Sequence, residues 1–174
     1  MRLPPTDKSI MNTEQMTVAD EIIAGPRGRL TGPFHAWIHS PDFATHAQRL
    51  GSVCRYQSGL PTRLAELAVL VTAAHWRSMT EWRIHHPIAV ESGLSPAALE
   101  AIRTGVAPDF DAPDEQFIYR FTKQLHHSSR VSDHLFEEAI GRFGLRVVVN
   151  LVGLIGYYTC VAMTLNVFEI QVDD

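Results

Sequence analysis

The sequence predicts an all-α, single-domain helical bundle, and three observations carry that expectation. Apolar residues recur at spacings of three and four: Leu64, Leu67, Ala68 and Val71 in one segment, Phe117, Phe121 and Leu125 in another. That spacing is one face of a helix. Proline stands where a first helical turn tolerates it in Ser40-Pro41, Leu60-Pro61, Ser95-Pro96 and Ala112-Pro113, which marks helix starts. No run alternates with period two between hairpin turns, as strands would require.

The elements follow in order. Residues 1–20, opening MRLPPTDKSIMNTEQMT, lack the apolar stretch of a signal peptide and are expected as a lead-in to a helical domain over 21–174. A first helix is expected near 14–24, followed by the Gly/Pro loop GPRGRLTGP over 25–33. Ser40 and Pro41 open a helix near 41–57 that Gly59 closes. Pro61 opens the next, near 61–77, and a further helix runs near 79–92 to Gly93. Those two can equally form one long helix kinked near Ser78. Ser95 and Pro96 start a helix over 96–104, ended by Gly105; glycine commonly occupies the residue past a helix end. A loop over 105–113 leads to a helix near 113–128, and Ser132 caps one near 133–143, ended by Gly144. The last helix is expected over 145–169.

Its stretch Val147 to Phe168 carries no charged residue and is long enough to cross a bilayer. Asn150, Asn166, two glycines, two threonines and the lack of a following basic cluster point instead to a core or subunit-interface helix. At 174 residues with 45% apolar and 20% charged residues, the chain has the composition of one globular domain. Its net charge of −4 with scattered basic residues leaves no nucleic-acid footprint and no polybasic membrane patch. Cys54 and Cys160 are far apart, with no CxxC, and read as reduced, buried thiols of a cytoplasmic protein.

The chemistry concentrates in ELAVLVTAAHWRSMTEWRIHH, residues 66–86. Ser78, Glu81 and His85 are three and four apart, so on a helix they share a face. Trp82, Ile84, Pro87, Ile88 and Ala89 give that face an apolar setting. Burial there would raise the glutamate pKa and lower that of the histidine, towards the range of general acid–base catalysis. In the bland alternative the pair is a surface ion pair worth a few tenths of a kcal/mol. Glu66 either pairs within its own helix with Arg63 or Thr62, or faces Glu81 and His85 across two packed helices and orients the imidazole. Ser78 has no G-x-S-x-G setting, so hydrogen bonding is its expected role, while Trp82 helps to enclose the pair.

Arg27 and Arg29 in the Gly/Pro loop are either solvated or hold a substrate carboxylate at a cavity mouth. Phe34, His35, Trp37 and His39 follow with aromatic walls and polar tips suited to a small ligand. Nine histidines invite a metal, but neither paired Glu-x-x-His nor His-Glu-x-x-His is present. His85-His86 and His126-His127 place adjacent rings on different faces, and the latter pair reads as a solvated helix end. No metal and no cofactor are expected.

RLAELAVLVTAAHWRSMTEWRIHHPIAVESGLSPAALEAIRTG resembles the core of the carboxymuconolactone decarboxylase family, related to alkylhydroperoxidase D. The resemblance runs from GPRGRLTGPFHAWIHSP to TLNVFEI. The thiol-peroxidase branch of that family has Glu, then Cys twelve positions on, Cys three further and His four further. Counting from Glu66 gives Ser78, Glu81 and His85, so both thiols are replaced and peroxidase activity is not expected. The resemblance implies an alkylhydroperoxidase D-like fold assembled as homotrimers or homohexamers. It also implies cofactor-free decarboxylation of a small carboxylated lactone or related oxo-acid. Glu81 and His85 would move the proton, Glu66 would orient the ring, and Arg27, Arg29, His35, Ser78 and Trp82 would contact substrate. The same pair could instead serve an isomerase, cyclase or lactone hydrolase, or the fold could persist as a non-catalytic ligand-binding oligomer.

Overall fold

A computed structural model describes residues 2–4 and 6–171; positions 1, 5 and 172–174, at the outer ends of the expected lead-in and domain, lie outside it. After a 3₁₀ turn at Lys8–Ile10, eight α-helices follow among the described residues, with no strand. They are α1 Thr13–Ala24, α2 Phe34–Trp37, α3 Pro41–Tyr56, α4 Thr62–His75, α5 Met79–Glu91, α6 Pro96–Thr104, α7 Pro113–Ser128 and α8 Asp133–Phe168. The chain is an all-α bundle, as its pattern of apolar residues and helix-start prolines predicts.

Local chemistry explains most boundaries. Asn12 and Gln15 form a reciprocal capping box at the start of α1, so the helix begins inside the expected lead-in and buries Val18 and Ala19. Ser95 and Ser132 accept from the backbone N–H three residues on, at 3.4 and 3.3 Å, satisfying donors that a helix start leaves free. Ser40 makes no such bond. The short α2 has no counterpart in the sequence reading, since four residues are too few to display a period.

α4 is the central element. Its residues from Leu64 to Ala73 are all buried, and it packs most extensively on α5, α7 and α8. Leu64, Leu67 and Leu70 are at most 1% exposed, and full burial of each such side chain stabilises the fold by roughly 1.5–3 kcal/mol. Where α4 meets α7, Arg63 donates to Asp114 at 2.8 Å and also pairs with Glu115.

Helices α4 and α5 are separate. The Ser78 N–H donates to the Ala73 carbonyl at 2.9 Å and the Arg77 N–H to that of Ala74 at 3.1 Å, while Arg77 adopts φ 51°. This is a left-handed helix stop, and it folds the two helices into a hairpin.

Helix α8 is long and apolar enough to cross a membrane, yet half of its most apolar stretch is buried within the protein. Its inner face supplies Leu151, Leu154, Ile155, Tyr157, Tyr158, Val161 and Leu165 to the core. Its outer face leaves Leu145, Val149, Val152, Met163 and Val167 exposed, an apolar stripe at helical spacing. Gly144 breaks the helix internally with φ 74° and ψ 160°, so the expected division between 143 and 145 is real in the backbone angles.

That conformation is essentially reserved for glycine, and a Cβ at Gly144 would meet nothing within 4 Å. Gly144→Ala is therefore expected to lose about 1–3 kcal/mol through the backbone alone. The neighbouring Gly141 also has open space around it but lies in regular helix, and Gly141→Ala should be neutral or mildly stabilising. Urea unfolding of the two variants checks this; equal midpoints would refute it.

Candidate active site

The hairpin brings Glu66 of α4 against His85 of α5. His85 Nδ1 lies 2.6 Å from Glu66 Oε2, and His85 Nε2 lies 2.9 Å from Glu81 Oε1, one turn earlier on α5. All three side chains are buried: Glu66 6%, Glu81 3% and His85 2% exposed. Of the two readings of Glu66, the one facing His85 across packed helices is observed. Arg63 is engaged at Asp114 and Glu115 instead.

Each ring nitrogen faces a carboxylate oxygen, so each contact needs one proton. Two protons are thus shared among three groups. Either both reside on the ring, or one resides on the ring and one on a carboxyl group. The net charge of the cluster is −1 in both arrangements, so moving a proton along it moves no net charge into the interior. Burial works to pull the imidazole pKa down. The hydrogen bonding and charge of Glu66 and Glu81 outweigh it and raise the pKa to about 9. This reverses the lowering expected from burial alone, because two carboxylates face the one ring.

Glu81 and His85 line a niche of about 60 Å³ together with Arg27, Arg55, Tyr157 and Tyr158. Next to it lies a larger cavity of about 520 Å³ that shares Arg27, Thr31, Gly32, Arg55 and Ile84 with the niche and adds Arg29 and His35. Arg27 Nη2 donates to the Tyr157 hydroxyl at 3.3 Å, and its guanidinium sits 5.0 Å from the centre of the Phe34 ring. Burial, only partly opposed by Arg27, pushes the Tyr157 phenol up to about 12, so it remains a proton-bearing donor at neutral pH. The Tyr158 ring stands edge-on to His85 at 5.0 Å and is also raised by burial.

The expected site residues divide into three groups. Glu81 and His85 line the niche, and Glu66 stands behind the ring without lining either cavity. Arg27 belongs to both cavities, whereas Arg29 and His35 line only the outer one, with His35 Nδ1 2.7 Å from the Thr6 hydroxyl. Ser78 and Trp82 line neither. Ser78 precedes α5 rather than sharing its face, and its buried hydroxyl has no hydrogen-bond partner among the described residues; Trp82 is a core residue beside His86.

Arg55, Tyr157 and Tyr158 were not anticipated. They come from α3 and α8, and spacing within one helix cannot reveal packing between two. The tyrosine pair within an otherwise uncharged run was the available signal. Gly51 of α3 is a further contributor, since a Cβ there would lie 2.2 Å from the Tyr157 hydroxyl and 2.5 Å from Arg27 Nη2. His126 also departs from a solvated helix end: it stacks on His75 at 4.5 Å and sits 3.0 Å from the Thr72 hydroxyl. No protein-family model matches the chain, and no curated protein matches it significantly.

Two outcomes are expected. A histidine whose folded pKa lies above its unfolded value stabilises the fold fully below about pH 6.5, the unfolded value. That contribution falls as pH rises towards 9. Thermal melts between pH 6 and 10 should show the decline, and Glu66→Gln should flatten it; an unchanged slope in that variant would contradict the coupling. Gly51→Ala, usually favourable in a helix by about 0.5–1 kcal/mol, should instead destabilise by about 1–3 kcal/mol through overpacking against Tyr157, measurable by denaturant titration.

Proposed function

We propose that the protein is a cofactor-independent, acid–base lyase of the decarboxylase type, acting on a small carboxylated lactone or related oxo-acid. The carrying observation is His85 held between Glu66 and Glu81 on the wall of a niche flanked by Arg27 and Arg55. The resemblance to carboxymuconolactone decarboxylases, resting on Glu66, Glu81 and His85, supports the same reaction class.

In this reading an arginine holds the substrate anion as a charge-assisted, bidentate contact. As the carbon–carboxylate bond breaks, its electron pair passes into the conjugated carbonyl and CO₂ leaves. The phenols of Tyr157 and Tyr158 and the charge of the neighbouring arginines stabilise the developing enolate, being fixed in place beforehand. The enolate carbon then takes one proton from the Glu81–His85 pair, and solvent returns that proton through the outer cavity. Glu81 is the exchanging side, since it lines the niche and its contact at 2.9 Å is the longer one. Glu66, at 2.6 Å and outside the niche, is a positioning residue. The same relay serves an isomerase or hydrolase, and product mass separates the three: loss of about 44 Da, no change, or gain of about 18 Da follows from the atoms transferred.

The exposed stripe of Leu145, Val149, Val152, Met163 and Val167 on α8 supports self-association with α8 as a core and subunit-contact helix; the resemblance adds the homotrimer or homohexamer, and the unpaired cysteines the cytoplasmic setting, to this reading.

A screen of small lactone carboxylates with mass detection tests the reaction. Glu81→Gln and His85→Ala should each lower turnover by about 10²–10⁴-fold, the usual contribution of a positioned acid or base, with helical circular dichroism retained. Full activity in both folded variants would reject the assignment.

A further inference from the structure

On a different part of the molecule, α4, α6 and α7 end around an open groove of about 360 Å³ whose basic lining is His75, Arg77, Arg103, Lys123, His126 and His127. A second groove of about 450 Å³ shares Tyr119, Lys123 and His127 with it and continues to Leu135 in α8. Among the described residues no carboxylate lines either groove, in a chain whose net charge is −4.

Helix C-termini attract cations, and that accounts for part of the set. His75, Arg103, His126 and His127 lie in the last turns of their helices. Arg103 is further held by Glu100 at 2.8 and 2.6 Å. Two cations remain. Among the described residues neither Arg77 nor Lys123 has a carboxylate within ion-pair reach; Lys123 Nζ donates to the Tyr119 hydroxyl at 2.8 Å.

Arg77 also occupies an unusual backbone position. Its φ of 51° places it at the left-handed stop of α4, where α5 and α6 use Gly93 and Gly105 and where α7 and α8 use Ser129 and Glu169. Glycine is the residue that backbone geometry favours there, so an arginine at this stop carries a backbone cost. In the stacked pair beside it, His126 contributes no charge at neutral pH: burial first, and the charge of His75 next, push it down to about 4. Its rings offer N–H groups and a flat wall, and Tyr119 offers another. The groove's volume lies within the range of small-molecule sites.

We propose that this groove binds the phosphoryl group of a small organic anion, with Arg77 and Lys123 as its charged ligands and Tyr119 against the organic part. The site is separate from the Glu66–His85–Glu81 cluster and does not depend on the reaction assigned to it.

Calorimetric titration of the full chain with inorganic phosphate and with phenyl phosphate, against potassium chloride at matched ionic strength, tests the proposal. Saturable binding of both phosphates and none of chloride is expected, with phenyl phosphate the tighter. Arg77→Gly and Lys123→Gln should each weaken binding about tenfold, the loss of one charge-assisted contact. Arg77→Gly should meanwhile keep or raise the ligand-free melting temperature, since glycine suits that backbone, which separates lost binding from lost folding. His85→Gln should bind phosphate normally. Unchanged affinity in the Arg77→Gly/Lys123→Gln double variant, or a response equal to that of chloride, would overturn the site. Equal affinities for the two phosphates would overturn the organic part of the assignment.

Discussion

An imidazole gripped at both nitrogens by buried carboxylates constrains much of this structure. Removing three ionisable groups from water is costly unless each is paired, and here one ring satisfies two acids at once. The arrangement demands that α4 and α5 meet in one register, so that Glu66 reaches Nδ1 while Glu81 reaches Nε2. The left-handed stop at Arg77 supplies the tight reversal that makes this register possible. A slip of one residue along either helix would rotate a side chain by about 100° and leave a carboxylate buried without a partner.

The helices were legible because the sequence marks its own boundaries. Ser95, Pro96, Pro113 and Ser132 stand at helix starts, and Gly93, Gly105 and Gly144 stand at stops, each for a backbone reason that needs no knowledge of the fold. The pair Glu81 and His85 was legible for the same kind of reason, being one turn apart on a single helix. What spacing could not encode was the contribution of other helices. Arg55 and Tyr157 reach the niche from α3 and α8, and the close approach at Gly51 that admits Tyr157 exists only in three dimensions. Ser78 shows the converse: three residues before Glu81, it would share that face on an ideal helix, but the helix has not yet begun there. The direction of the His85 shift failed for a related reason, since burial and two acidic partners act in opposite senses and only the packed structure supplies the second partner.

For the proposed reaction, the physical setting of Glu66, Glu81 and His85 bears more weight than the resemblance to carboxymuconolactone decarboxylases. A surface Glu–His pair would be exposed and exchange with water. This one is enclosed, lines a niche with two arginines, and has a phenol held protonated at its edge. Those features suit stabilising a negative charge that appears only during reaction.

The position of Glu66 follows from α4 being buried on every side. Such a helix has no solvated face, so each polar side chain on it must find a partner inside the protein. Thr72 returns its hydroxyl to the Ala68 carbonyl at 2.8 Å and also meets His126. Arg63, near the start, turns to Asp114 and Glu115 on α7. Glu66 can use neither route: a carboxylate cannot donate to a carbonyl unless it is protonated, and Arg63, three residues earlier, is already engaged. His85 is the partner that α5 offers. The bond that fixes the ring is thus the same bond that makes α4 tolerable as a core helix, which ties the geometry of the cluster to the packing of the fold.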